Sequence, residues 1–298
     1  MSDATPLRAG TVCVADLARS REAYEDTIAY RTVETGTVSG SLAESWHAPA
    51  AVGAAYALLE PSSGAETWLR LVETSPVEGF EPVVSHGWTA LEFCVWDVAA
   101  VAARLADSPF EIVGLPRRLD GMDALCAMQA RGADGEILYF TQIDDDPPGF
   151  SLPRARCFVD RLFMHVLGAS DLAATQRWIV RHLGCAVGVE RMEMVYTLLA
   201  RAFGVPLHTR FTISTVTLGS EVFLQVDQMP PGARRRLARP GMLPPGIAMT
   251  TLSVPDLDAA AHGRVKSPTV HDGAVYAGRR SVTLSGPDGT LFELVEEA

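Results

Sequence analysis

Residues 11–24 read TVCVADLARSREAY: an apolar, strand-like run ends at Asp16 and a helix-like run begins. The same order returns in LEFCVWDVAAVAARL (91–105, Asp97), HVLGASDLAATQRWI (165–179, Asp171) and TTLSVPDLDAAAHGRV (250–265, Asp256). The aspartates recur every 75–85 residues or so, a longer interval than solenoid repeats use and one that suits small α+β modules. Each apolar run has the length and pattern of a half or fully buried strand. Each aspartate stands where a carboxylate can accept from the free N–H groups of a new helix. In the first copy Leu17, Tyr24 and Ile28 share a helical face. In the third, Leu172, Thr175, Ile179 and Leu183 do so, and Gly184 follows where a left-handed cap is favoured.

Outward from each copy lie further strand-like runs, such as TWLRLVE, EILYFTQI, EVFLQVDQ and TLFELVEE. Gly132-Ala133-Asp134-Gly135 and Gly286-Pro287-Asp288-Gly289 supply the Asp-Gly pairs of tight hairpins. Four βαβββ modules result, at about 7–75, 86–143, 160–230 and 246–298. The stretch Asp144–Pro153, acidic and rich in proline, divides them evenly. The expected organisation is an N-terminal pair of modules in 1–145, a linker at 146–159 and a C-terminal pair in 160–298.

With 298 residues, 48% of them hydrophobic, the chain can bury one large core or two ordinary ones. Its formal charge of −11 argues against nucleic acid as a partner. The basic run Arg234-Arg235-Arg236 reads as a solvated loop. Neither a signal peptide nor a membrane-spanning apolar run is expected, which points to a cytoplasmic protein with no membrane partner. Five scattered cysteines form no CxxC pair and read as reduced core thiols.

The repeated module, closing on SVTLSGPDGTLFELVEE at 281–297, resembles the vicinal oxygen chelate superfamily: glyoxalase I, bleomycin-resistance proteins and extradiol dioxygenases. The resemblance implies an α+β fold of four βαβββ modules paired into two cupped, incomplete-barrel domains. It also implies a substrate bound in a cup beside a divalent metal (Fe, Mn, Zn or Ni), held by a first-strand His and a last-strand Glu. Aligned last strands place Arg70, Tyr139, Gln225 and Glu293 at equivalent positions, and Glu293 is the one acid among them. The first-strand position, seven residues before each aspartate, holds Ala9, Ala90, Met164 and Met249, with His165 one residue away. His165 and Glu293 are therefore the candidate metal ligands, an incomplete set, with His208 and His271 as further candidates. A one-residue offset turns a strand side chain to the opposite face unless a bulge restores it.

Glu293, His165 and Tyr139 are the candidate catalytic residues. Arg70, Gln225, Trp46 and His47 are the candidate substrate contacts, Arg70 as a fork for a carboxylate and Trp46-His47 as a cover over a pocket. The expected activity is lyase, isomerase or ring-cleavage chemistry on a small oxygen-bearing molecule, aromatic ones included. The alternative is a metal-free protein that binds or sequesters a small molecule. The partner is a small-molecule ligand in either case, and the chain is expected as a monomer or homodimer.

Overall fold

The computed structural model describes residues 6–148, 151–219, 221–260 and 267–297. The first module runs β1 (Leu7–Val14), α1 (Leu17–Ile28), β2 (Arg31–Thr37), α2 (Gly40–Ser45), β3 (Ala55–Glu60) and β4 (Trp68–Glu73). The second runs β5 (Gly87–Val95), α3 (Val98–Leu105), β6 (Glu111–Leu119), β7 (Met122–Arg131) and β8 (Ile137–Ile143). The third holds β9 (Val159–Ala169), α4 (Leu172–Leu183), β10 (Ala186–Val187), β11 (Met192–Val195), α5 (Thr197–Ala202), β12 (Arg210–Leu218) and β13 (Glu221–Gln228). The fourth holds β14 (Ile247–Val254), α6 (Leu257–Ala260), β15 (Thr269–Val270), β16 (Arg280–Ser285) and β17 (Leu291–Glu296). Residues 261–265 of the fourth repeat, and Gly149 and Phe150 of the expected linker, lie outside the described residues.

All four repeated aspartates cap a helix. Asp16 accepts from Arg19 N at 3.0 Å, Asp97 from Ala99 and Ala100 N, Asp171 from Ala174 N at 2.8 Å, and Asp256 from Asp258 and Ala259 N. Gly184 closes α4 at φ 67°, the left-handed cap its position predicts. The two Asp-Gly turns have a further task. Asp134 accepts from Ala15 N at 2.7 Å and Asp288 from Ser170 N at 2.9 Å. Each turn of an even-numbered module thus binds the strand end of the module before it.

The strands form two mixed sheets, neither closed into a barrel. One is ordered β15-β16-β17-β14-β1-β4-β3-β2; the other is β10-β12-β13-β9-β5-β8-β7-β6, with β11 on β12. Module 1 therefore shares a sheet with module 4, and module 2 with module 3. This corrects the expected pairing of sequence neighbours into N-terminal and C-terminal cups. The first strands join the modules, β1 antiparallel to β14 and β5 antiparallel to β9. Sequence neighbours instead pack across the space between the two sheets.

That space is the main core. Leu7, Val12, Leu69 and Leu71 of one sheet meet Trp88, Leu91, Phe93 and Phe140 of the other within one buried cluster. Approach is close at Gly10, where an added Cβ would lie 2.9 Å from Leu91 Cδ2 and 3.2 Å from His165 Cε1. Trp88 Nε1 donates to the Leu291 carbonyl at 3.0 Å, tying the sheets together. The basic run departs from its expected solvated state at one residue. Arg234 and Arg235 are exposed, but Arg236 turns inward. Its guanidinium donates to the carbonyls of Ile247 (2.7 Å), His86 (3.2 Å), Pro245 (3.3 Å) and Trp88. Burial lowers its pKa to about 10. The cysteines are free, and burial raises the Cys13, Cys94 and Cys185 thiols to about 12, as inert core thiols require.

Candidate functional site

Strand register decides which residues enter each cup. The positions five before each repeated aspartate are Thr11, Glu92, Val166 and Thr251. They lie beside the last-strand set: Thr11 on Arg70, Glu92 on Tyr139, Val166 on Gln225 and Thr251 on Glu293. Positions seven before, Ala9, Ala90, Met164 and Met249, share the same faces. Alanine and methionine thus occupy the places where the family resemblance calls for histidine. His165 lies between two such positions and points the other way, into the core between the sheets. It is fully buried, with Nδ1 2.5 Å from Thr250 Oγ1, its ring edge-on to Trp88, and Nε2 without a partner. Burial lowers its pKa to about 3, so it is neutral.

The cup of modules 1 and 4 is filled by its own side chains. Glu293 is fully buried and accepts four hydrogen bonds: from Arg70 Nη2 (2.8 Å), Thr251 Oγ1 (2.7 Å), Trp46 Nε1 (2.7 Å) and Tyr276 OH (2.7 Å). Arg70 also donates to Thr11 Oγ1 (2.9 Å) and Tyr276 OH (2.7 Å), and its guanidinium lies over Trp46 at 4.5 Å. Burial alone would raise the Glu293 carboxyl, but Arg70 with the Thr251 and Tyr276 hydroxyls holds it below its usual range. For Arg70 burial opposes the charge, and Glu293 and Tyr276 more than offset it. Both partners are thus ionised, and each nitrogen of the guanidinium and each oxygen of the carboxylate has a partner. Trp46, delivered by the segment that follows α2, caps this cluster rather than an open mouth. His47 sits behind it with Nε2 3.0 Å from the Thr283 carbonyl oxygen. Only a small hollow of about 30 Å³ remains beside Arg70, Tyr56 and Glu34.

The cup of modules 2 and 3 is open. A cleft opens there with apolar walls that include Met122, Leu125, Phe163, Met164, Met192 and Ile213. Its polar groups converge from both modules: Glu92, Tyr139 and Thr141 from one, Tyr196, Thr215 and Gln225 from the other. Thr141 Oγ1 donates to Glu92 Oε1 at 2.5 Å, and the Tyr139 and Tyr196 hydroxyls touch. Gln225 Nε2 donates to Asp227 Oδ1 at 2.7 Å. Asp227 shares a strand face with Gln225, being paired in register with Ile213 as Gln225 is with Thr215, but it is fully buried behind the residues that line the cleft. Burial raises the Glu92 carboxyl to about 7. Burial, with Glu92's charge added, raises Asp227 to about 7 as well. Burial also raises Tyr139 well above its usual value, as do the charges of Asp227 and Glu92. Such a pocket, mostly apolar with a few convergent polar groups and displaced carboxyls, has the character of a ligand site.

The structure therefore separates the expected site residues. Arg70, Trp46 and Glu293 meet in one cup, Tyr139 and Gln225 in the other, and His165 in neither. The expected sharing of a metal by His165 and Glu293 is corrected on this geometry, because they lie on different sheets and Glu293 is already saturated by donors. His208 is exposed in the turn before β12, and His271 Nε2 is 2.8 Å from Thr269 Oγ1. Among the described residues no group of three or more His, Cys, Asp or Glu side chains is placed to hold a metal. The donors present do not fit the divalent ion that the resemblance implied. Glu92, Asp227, Thr141 and Tyr196 escaped the sequence reading. Glu92 had a signal: a lone acid in the apolar strand LEFCV, in phase with Ala90.

The backbone is similar over nearly its whole length to glyoxalase I from Zea mays. The TM-score is 0.65 at 15% identity, covering 98% of this chain and 92% of that one. It is also similar to a putative dioxygenase from Bacillus subtilis, with TM-score 0.60 at 11% identity and coverage of 98% and 85%. No family model matches the chain, and no curated protein matches it in sequence. The chain shares the fold of these two proteins over nearly its whole length. Among the described residues no helix is long and apolar enough to cross a membrane.

Proposed function

We propose that the protein binds a small, largely apolar molecule in the cup of modules 2 and 3, without a metal. The observation that carries this reading is the contrast in filling. One cup is occupied by a saturated Arg70–Glu293 cluster, whereas the other keeps an open cleft with Glu92, Tyr139, Tyr196 and Gln225 facing into it. Methionines on its walls suit ligands of varied shape, since their unbranched chains repack at low cost. This is the binding or sequestering alternative of the sequence reading; it keeps Tyr139 and Gln225 of the expected residues and adds Glu92 and Tyr196.

A second reading, an enzyme, is favoured by Glu92. A carboxyl raised to about 7 can both give and take a proton near neutrality, as general acid–base catalysis requires. In lyase or isomerase chemistry beside a carbonyl, Glu92 would move the proton. The tyrosine hydroxyls would donate to the oxygen that gains charge.

Nile red, a neutral dye of suitable size, tests the binding reading. Expected is saturable binding of one dye per chain with a blue-shifted emission, lost in Ala127→Trp, which fills the cleft from β7. Absence of saturable binding, or binding indifferent to Ala127→Trp, removes the cleft as the site. A Mn(II) titration of the purified protein is expected to show no tight binding, and a tight stoichiometric site overturns the metal-free assignment.

A further inference from the structure

The two cups pose the same electrostatic problem and solve it differently. In the cup of modules 1 and 4, the buried Glu293 carboxylate is met by a cation from the chain itself, Arg70, at 2.8 Å. The last-strand position equivalent to Arg70 in module 2 is Tyr139. The cup of modules 2 and 3 buries two carboxyls, Glu92 and Asp227, and among the described residues no basic group lies within ion-pair distance of either. Arg117 is the one base among the described residues lining the cleft. Its side chain is 39% exposed, stands 3.9 Å from Asp120 and donates to the Val195 carbonyl at 3.5 Å. His165 faces away, and the other titratable groups facing the carboxyls are the tyrosines, Tyr139 and Tyr196.

A second observation is independent of this charge count. Asp227 is fully buried and its Oδ2 has no hydrogen-bond partner, while Oδ1 is held by Gln225. An orphaned carboxyl oxygen is costly, and this one adds negative charge near Glu92, the acid that does line the cleft. The apolar walls state what the rest of that occupant resembles.

Resting on the binding reading above, we infer that the ligand of this cup carries a cationic group on an apolar body, such as a protonated amine seated against Glu92 with Asp227 behind it. The ligand supplies the positive charge that Arg70 supplies in the sister cup. An ammonium has three donors, enough to serve Glu92 and the oxygens of Tyr139 and Tyr196 on the cleft wall together. The surrounding methionines and leucines cover its hydrocarbon part. Desolvation of the charge is offset because Glu92 meets it directly and Asp227 lies nearby, among apolar walls where ion pairing is stronger than at a surface.

Three probes sharing one hydrocarbon body separate charge from shape: adamantan-1-amine, adamantan-1-ol and adamantane-1-carboxylate. Displacement of Nile red at pH 8 is expected to rank amine over alcohol by about ten-fold or more, equivalent to one well-made ion pair, with the carboxylate weakest. Glu92→Gln is expected to erase the preference for the amine over the alcohol. Asp227→Asn serves as the second variant should Glu92→Gln unfold, circular dichroism reporting the fold of each. If the alcohol or carboxylate displaces the dye as well as the amine, the cationic ligand is overturned while the cleft remains a binding site. If the amine's preference survives in both variants, the charge is read elsewhere and the inference likewise fails. Failure of Nile red itself to bind overturns the cleft reading instead, which keeps the two outcomes distinct.

Discussion

The cup of modules 1 and 4 and the cup of modules 2 and 3 are built from equivalent strands, yet one is a core and the other a cavity. Two substitutions at matched positions account for most of the difference. Arg70 stands where the sister cup has Tyr139, and Glu293 where it has Gln225. In the first cup a long cation and an anion meet, and Trp46, Tyr276, Thr11 and Thr251 satisfy the remaining donors and acceptors. In the second, Tyr139 and Gln225 carry no charge and form no such pair: the Tyr139 hydroxyl meets that of Tyr196, and Gln225 donates to Asp227. The acids lie elsewhere on the cup face, at Glu92 and Asp227. The segment covering each cup follows the same logic. After α2 it delivers Trp46 onto the carboxylate, whereas before α5 it delivers Tyr196 to the wall of a cleft. A shared scaffold thus leaves the choice between stability and binding to a few side chains.

The largest expected effect breaks the closed cup. Arg70→Met strands Glu293 in the interior and should lower stability by about 3–5 kcal/mol, read by denaturant unfolding. Arg70→Met combined with Glu293→Gln should recover most of that loss, because both charges leave together. A double variant no better than the single one would show that the pair is not what closes this cup.

Next in size is His165→Ala, which opens a cavity between the sheets and should cost about 2–4 kcal/mol. Nile red affinity should not change at temperatures where the variant is folded. A weakened dye affinity with intact fold would place His165 in the cup after all.

The two cups should also respond to pH with opposite sign. Glu92 and Asp227 have native pKa values raised to about 7, so the folded state holds their protons more tightly than the unfolded chain does. Their contribution to stability is full below the unfolded carboxyl range and is lost as pH rises towards 7. Glu293 is lowered, so its contribution is present above that range and is lost as pH falls through its native value. Glu92→Gln should therefore gain about 1–3 kcal/mol over the wild type between pH 4 and pH 8. Thermal unfolding at the two pH values measures this, and a gap that stays constant with pH would contradict a protonated native Glu92.

The smallest effect is expected for Tyr196→Phe, which removes one hydroxyl from the tyrosine pair and should cost about 0.5–1.5 kcal/mol. A much larger loss in calorimetry would mean that the α5 segment, rather than the strands, holds the cleft in shape.

Much of this architecture is legible in local sequence because its causes are local. Asp16, Asp97, Asp171 and Asp256 each cap a helix within three residues, and an N-cap needs no distant partner. The alignment that set Arg70, Tyr139, Gln225 and Glu293 at equal positions agrees with their register in the sheets, since strand alternation has a period of two. The same period explains why His165, one residue out of phase, faces the core. Glu92 was visible as an isolated acid in an apolar strand, but a single carboxylate carries no mark of the cavity around it. Asp227 and Tyr196 lacked even that, since their meaning depends on β12, β13 and the approach to α5 folding around one space.

The chain's own pattern determined four βαβββ modules, their helix caps and the inward phase of their strands, all interactions between near neighbours. Which modules share a sheet was decided in three dimensions. The edge of β1 accepts β14, and β5 accepts β9, through backbone hydrogen bonds that every strand can make and no local motif distinguishes. That choice brought Arg70 to Glu293 across 223 residues and left Glu92 without a cation. Long-range packing, rather than residue type, settled which cup is full and which is open.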